Sequence, residues 1–269
     1  MSIMSSKTHF AFFEQRLSSR TPFVFVRFSD GEIEVLKNNS LKIGAEGVSW
    51  SKGTSQHVYP NFDFKTFEPD LHQMFRQDLM NSATQRAKNY FKGTPARHNR
   101  ALGDRDWLVS LNGETLENLT FADVFLNSNF LKFRKRIIPL FKNFPEVYVL
   151  GNFRMQPELV NSSWKHITIP DDFIADYENV LSSVMDAVCN VKKDSLVLAS
   201  ASSLTNIVGS KIVFSRPDLT YIDIGTSMHD LMGMGGNVRE YHSLLLPWTL
   251  RSFKSKLGYY LSGSHKIRW

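Results

Sequence analysis

A chain of 269 residues with 42% hydrophobic content can bury a substantial core, as one large domain or two small ones, and is not disordered by default. The single cysteine, Cys189, excludes an intramolecular disulfide framework and predicts a reducing compartment, with the thiol expected in the core of an apolar helical pattern. The net charge of +6 permits a polyanionic partner without demanding one. No apolar run approaches ~18 residues and residues 1–8 lack signal-peptide regions, so the expectation is a cytoplasmic protein without a membrane span.

In chain order, Phe10, Phe12, Phe13 and Leu17 predict a short amphipathic helix packed beside a first strand. That strand is the run Phe23-Val24-Phe25-Val26, which ends abruptly in Arg27-Phe28-Ser29-Asp30-Gly31-Glu32. The tip has two physical readings. Ser29 followed three residues later by Glu32 fits a capping box opening a short helix that Asn38-Asn39 ends. Alternatively, Asp30 and Glu32 share a metal or phosphate, which requires a turn not yet helical, because residues two apart on a helix point away from one another. Residues 41–60, with Gly44, Gly47 and Gly53, read as an irregular loop or hairpin, either a substrate lid or a packed surface excursion.

Residues 67–90 read as a helix with Leu71, Met74, Phe75 and Leu79 on one face, ended by Lys92-Gly93-Thr94-Pro95. Residues 96–106 then read as a loop carrying Arg97, His98, Arg100 and Arg105, and residues 121–138 as a helix whose Lys132, Arg134, Lys135 and Arg136 form a solvated face. The second half alternates more plainly. Strands are expected at residues 147–150, 167–169, 196–199 and 220–224, with a long helix from Phe173 to Val188 and another from Leu204 to Phe214. Strands separated by helices imply an α/β fold with a Rossmann-like, mostly parallel sheet. In such a sheet the carboxyl ends of the strands share one edge, so Asp30, Glu32, Gly151-Asn152, residues 200–203 and residues 223–226 are expected to line one cleft. Serines at 200, 202 and 203 either cap the following helix or offer its amino terminus to an anion.

Two stretches contain no acid. Residues 79–103 carry Arg86, Lys88, Lys92, Arg97 and Arg100 with Tyr90 and Phe91; residues 241–269 carry Arg251, Lys254, Lys256, Lys266 and Arg268 with Trp248, Phe253, Tyr259, Tyr260 and Trp269. Such stretches are either solvated faces backed by core aromatics or surfaces for a nucleic acid.

Arg27-Phe28-Ser29-Asp30-Gly31-Glu32 resembles the R-[FY]-[GS]-D-G-E signature of the GT-D-fold glycosyltransferases. Tyr221-Ile222-Asp223-Ile224-Gly225 is similar to that family's closing D-I-G element, and Ser200-Ala201-Ser202-Ser203-Leu204 stands where the family has a strand-to-helix turn rich in small residues. One departure stands out: the family's D-I-G is often followed directly by His, whereas Thr226-Ser227-Met228 here precede His229-Asp230.

The resemblance implies a single glycosyltransferase domain over residues 1–269, ending in the basic, aromatic segment 241–269. It implies that Asp30 and Glu32 hold Mn²⁺ or Mg²⁺, and that a nucleoside diphosphate sugar, with UDP favoured, meets Arg27, Asp30, Gly31, Ser200, Ser202, Ser203, Gly225 and Thr226. A hard cation would neutralise the leaving diphosphate. Asp223 stands first among candidates for the base, ahead of His229, Asp230 and Glu240. The acceptor is expected to be a hydroxymethylated base in DNA, as in phage DNA-modifying glycosyltransferases, held by Arg97, Arg100, Arg251 and Lys254. A cell-surface saccharide is the alternative acceptor, and a non-catalytic nucleic-acid-binding α/β protein is the rival from another class.

Overall fold

The computed structural model describes residues 6–44, 47–50, 53–55, 64–95, 99–234 and 241–242. The chain starts with α1 (Ser6–Ser18), whose Phe10, Phe13 and Leu17 are buried, and enters β1 (Val24–Arg27). Helix α2 (Asp30–Leu36) follows at once. Next come the short strands β2 (Leu41–Gly44), β3 (Gly47–Trp50), β4 (Gly53–Ser55) and β5 (Lys65–Phe67), then α3 (Gln73–Thr84), β6 (Tyr90–Thr94), α4 (Asn99–Leu111) and β7 (Leu119–Phe121). From Asn127 to Asn143 the chain runs through successive 3-10, α (α5, Phe130–Lys132), π and 3-10 turns. The remainder is β8 (Val147–Asn152), β9 (Lys165–Ile169), α6 (Tyr177–Cys189), β10 (Leu196–Ser200), α7 (Ser203–Ser215) and β11 (Thr220–Asp223).

Seven strands form one sheet in the order β7-β6-β1-β11-β10-β8-β9, and every pairing in it is parallel. The expected α/β fold with a parallel Rossmann-like sheet is therefore present. Its central strands are buried on both faces, as parallel strands covered by helices must be, whereas the edge strand β9 alternates exposed and buried residues. On one face Val24 and Val26 of β1 pack with Ile207, Val208 and Ile212 of α7 and with Phe75 and Leu79 of α3. Gly209 permits that approach, since a Cβ there would lie 2.7 Å from Val26 Cγ1. On the other face Phe25 joins Phe13, Phe125 and Phe133, with the rings of Phe13 and Phe25 5.1 Å apart.

Several expectations in the first half are extended or corrected. Residues 41–60, expected as an irregular loop or hairpin, contain the hairpin, β2 paired antiparallel with β3, and with β4 and β5 it extends to a small sheet ordered β4-β3-β2-β5. The helix expected to reach Tyr90 ends at Thr84, and Tyr90–Thr94 is a fully buried strand. Leu71 and Met74 are exposed, while Phe75 and Leu79 form the buried stripe. Residues 99–111, partly expected as loop, are helical, and Leu119–Phe121 is an edge strand rather than the start of a helix. Cys189 is exposed, not a core thiol: α6 buries Tyr177, Val184 and Val188, and the next residue falls about 100° round the helix from that stripe. Among the described residues no helix is long and apolar enough to cross a membrane.

Candidate active site

The strand order places β1 and β11 side by side in the middle of the sheet, so their carboxyl ends share the edge at which open α/β sheets bind ligands. Here the two motifs farthest apart in sequence meet. Arg27 Nη2 donates to Asp223 Oδ1 at 2.8 Å, and the Gly225 N–H donates to the same oxygen at 2.9 Å. Gly225 has φ of +45°, and a Cβ on it would lie 2.0 Å from Arg27 Nη2. The glycine of the D-I-G element is thus the floor on which the arginine of the first motif rests. Burial works against the Arg27 charge, but the Asp223 carboxylate outweighs it and raises the guanidinium pKa above its ordinary value.

The third motif closes the same cluster. Glu32 is buried, and its Oε2 accepts the Ser29 N–H at 3.0 Å, the reciprocal contact of a capping box. Its Oε1 accepts longer bonds from Ser202 Oγ at 3.4 Å and Ser203 Oγ at 3.3 Å, at the amino terminus of α7. Burial pushes the Glu32 carboxyl pKa up, against the opposing charge of Lys65 and the Ser29 N–H. Asp30, in contrast, is exposed on the first turn of α2, with no hydrogen bond or ion pair within the described protein. The backbone takes the capping reading of the sequence tip: the turn is already helical at Asp30, Glu32 caps it, and Asp30 faces solvent beside it.

The turn holding the serines is strained. Ser202 has φ of +50° and ψ of −141°, a conformation costing about 1–3 kcal/mol for a residue with a Cβ. Thr205 Oγ1 stabilises it by accepting the Ala201 N–H at 3.0 Å, and Asn206 Nδ2 ties α7 to β1 by donating to the Arg27 carbonyl at 2.8 Å. Arg27 Nε and Asn206 Oδ1 are buried without a hydrogen-bond partner, a cost that native structures carry most often at functional sites. Ser200, at the end of β10, shares a 2.9 Å hydrogen bond with Nε2 of the buried His229. Thr226 Oγ1 bonds the Tyr241 hydroxyl, which brings the start of the acid-free C-terminal stretch to this edge.

The structure thus assembles Arg27, Asp30, Gly31, Glu32, Ser200, Ser202, Ser203, Asp223, Gly225 and Thr226 at one end of the sheet. Gly31 is not demanded sterically, since a Cβ there would meet only Leu41 Cδ2 at an ordinary 3.7 Å. Arg97, Arg251 and Lys254 lie outside the described residues, and Arg100 is on α4, its side chain undescribed. Lys92, expected within a basic stretch, is buried and donates to the carbonyls of Ala83 and Gln85 at the end of α3. Arg86 and Lys88 are exposed.

Sequence reasoning missed two contributors. Lys65 is carried by β5 into the interior close enough to Glu32 to oppose its pKa rise, and β5 is held there by the Thr66 N–H donating to Asp172 Oδ1 at 3.1 Å. The Phe64-Lys65-Thr66-Phe67 pattern carries no signal that the lysine turns inward. The second is a cluster at the ends of β8 and β9, where Asn152 and Arg154 both bond Asp171; its signal was present in Gly151-Asn152 and Asp171-Asp172 as strand terminators.

The residues fit a divalent cation only in a restricted sense, because the turn is helical from Asp30 and the two carboxylates, two residues apart, do not converge by themselves. Asp30 offers an unengaged carboxylate, and Glu32 Oε1 is held only by the two long serine bonds. Among the described residues no group of three or more His, Cys, Asp and Glu side chains is arranged to hold a metal by itself, so oxygens from a ligand would complete the shell.

No protein-family model matches the chain, and no curated protein matches it. Three solved structures are similar, each at 12% identity. One is described as the selenomethionine-substituted domain of unknown function 1792 (DUF1792), with a TM-score of 0.50 over 81% of this chain and 77% of that one. A second, described as showing that this domain has a distinct glycosyltransferase fold, has a TM-score of 0.46 over 82% of each chain. A third, a new glycosyltransferase (DUF1792) from Streptococcus sanguinis, has a TM-score of 0.48 over 84% of this chain and 82% of that one. At this identity the likeness is one of fold, and the match at a TM-score of 0.50 carries it: this chain has the fold of the DUF1792 structure.

Proposed function

We propose that this protein is a glycosyltransferase that moves a sugar from a nucleoside diphosphate sugar, UDP-sugar favoured, to a hydroxyl acceptor. One observation carries the reading: three motifs spread over some 200 residues, each resembling its counterpart in the GT-D-fold family, are joined by direct hydrogen bonds at the carboxyl edge of the sheet. The fold shared with the DUF1792 structure supports it. In this reading Asp30 and Glu32 Oε1 would hold Mn²⁺ or Mg²⁺ together with the donor's phosphates. Such a cation, when bound, neutralises charge developing on the leaving diphosphate.

The chain's own groups supply the rest. The α7 amino terminus, with Ser202 and Ser203, offers N–H and O–H donors to a phosphate. Asp223 is engaged by Arg27 and the Gly225 N–H, which suits fixing Arg27 beside the diphosphate better than taking a proton. Ser200 is better connected for proton transfer. It can accept the acceptor's proton while passing its own to His229 Nε2, as the acceptor oxygen bonds the anomeric carbon and the diphosphate leaves with its electron pair.

The test is a thermal-shift panel of UDP, GDP, CDP and ADP with and without Mn²⁺, since a ligand specific to the native state raises the midpoint. A metal-dependent rise with one diphosphate is expected, lost in the Asp30→Ala, Glu32→Ala double variant along with donor hydrolysis. No rise with any of them returns Asp30 and Glu32 to helix capping and favours the non-catalytic binding protein. For the acceptor, the acid-free, basic and aromatic sequence of residues 241–269 makes hydroxymethylated DNA the first candidate. Retention on duplex DNA that falls steeply with salt is expected; no retention at low salt transfers the proposal to a saccharide acceptor.

A further inference from the structure

The end of β8 presents an aromatic ring in an unusual setting. Phe153 is 53% exposed, the first residue beyond the strand, with its N–H donating to the Ile169 carbonyl at 3.0 Å. A single exposed phenylalanine is ordinary, but this one is backed. The Arg154 guanidinium lies over its ring, 4.5 Å from the centroid, as a cation–π pair. That guanidinium cannot swing freely: Nη1 donates to Asp171 Oδ1 at 2.7 Å and to Asn152 Oδ1 at 3.2 Å, and Nη2 bonds Asp171 Oδ2. Asn152 closes the set by donating from Nδ2 to Asp171 Oδ1 at 2.8 Å. A fork between planar groups fixes orientation as well as position.

The shelf so formed sits on the edge that carries the candidate active site. Gly151 is in register with Ser200, so the shelf lies one strand from the serine turn and three strands from Arg27. With strands about 4.8 Å apart, the distance from Arg27 to the shelf is about 14 Å across the sheet. A nucleoside diphosphate with its terminal phosphate near Arg27 and Asp30 would run along this edge past the α7 amino terminus and bring its base to the β8 end.

We propose that Phe153, held flat by Arg154 and Asp171, is the platform on which the nucleobase of the donor stacks. The inference rests on the nucleotide-sugar reading of the site and deepens it by assigning the base end, which none of the three motifs reaches. A π-face is what every base offers, so the shelf supplies affinity, and selection among bases falls to polar groups at the base edge.

The experiment is isothermal titration of the full chain with the nucleoside diphosphate that gives the largest thermal shift, and with inorganic pyrophosphate, both with Mn²⁺. Phe153→Ala is expected to weaken the nucleoside diphosphate about tenfold, as loss of a base stack does, and to leave pyrophosphate unchanged. Phe153→Tyr is expected to restore binding, and far-UV circular dichroism to match wild type in both. Equal loss for both ligands, or no loss for the nucleoside diphosphate, overturns the shelf while leaving the glycosyltransferase reading standing. If the wild-type chain binds pyrophosphate but no nucleoside diphosphate more tightly, the nucleotide-sugar reading itself falls, and the shelf with it.

Discussion

Two arginine–aspartate pairs stand on the same edge of the same sheet and serve different ends. Arg27 and Asp223 are sealed, their side chains 15% and 7% exposed, while Arg154 and Asp171 stand open at 33% and 26%. The sealed pair joins strands β1 and β11, nearly 200 residues apart, and rests on a glycine that no other residue can replace without displacing the guanidinium. The open pair joins the ends of neighbouring strands and holds a ring toward solvent. Similar chemistry thus does structural service where water is excluded and presents a surface where it is not. Desolvation sets the difference, because a buried charge that loses its partner has no water to replace it.

The sharpest way to break that contrast is to remove one partner from each pair. Asp223→Ala leaves the Arg27 charge buried and alone, and is expected to destabilise the protein by about 3–5 kcal/mol in chemical denaturation; a loss below about 1 kcal/mol would mean that water reaches the pair. A buried cation without a carboxylate sharpens the comparison from another side. Lys92 meets only carbonyls, and burial, aided by the charge of Arg86, lowers its pKa to about 7. Between about pH 7 and 10 the unfolded chain then binds a proton there that the folded chain does not, so stability rises with pH, with a slope of up to ~1.4 kcal/mol per pH unit. That rise is expected to vanish in Lys92→Met when denaturation midpoints are compared across the window. The smallest effect belongs to the open pair: Arg154→Ala is expected to change stability by no more than about 1 kcal/mol, as exposed pairs do, while weakening nucleoside diphosphate binding by freeing the Phe153 ring.

How much of this was legible in the sequence differs along the chain. The strands β8, β10 and β11 announce themselves as short apolar runs bounded by Gly-Asn, Ser-rich and Asp-containing turns, because both faces of a central parallel strand are buried. The edge strand β7 and the strand β6 did not. Tyr90–Thr94 contains a lysine and a glycine that no propensity assigns to a buried strand. The lysine is there to meet the carbonyls at the end of α3, and the glycine because a Cβ would lie 2.8 Å from Ala122 Cα. The glycines of residues 41–60 signalled a hairpin, but its extension to a four-stranded antiparallel sheet did not show, because three or four residues per strand are too few for a period of two to stand out.

By itself the sequence determined the parallel α/β fold, the charged tip at residues 27–32 and the carboxyl-edge motifs around Ser200 and Asp223, since each rests on local pattern or turn chemistry. Only the tertiary structure decided what those charges do. The capping by Glu32 was legible in the Ser29-to-Glu32 spacing, but that Glu32 also meets two serines, that Arg27 spends its charge on Asp223, that Lys65 turns inward and that Asp171 pins Arg154 behind Phe153 all depend on which distant side chains arrive in contact. Side-chain burial and pairing are properties of the packed sheet edge, and no spacing along the chain encodes them.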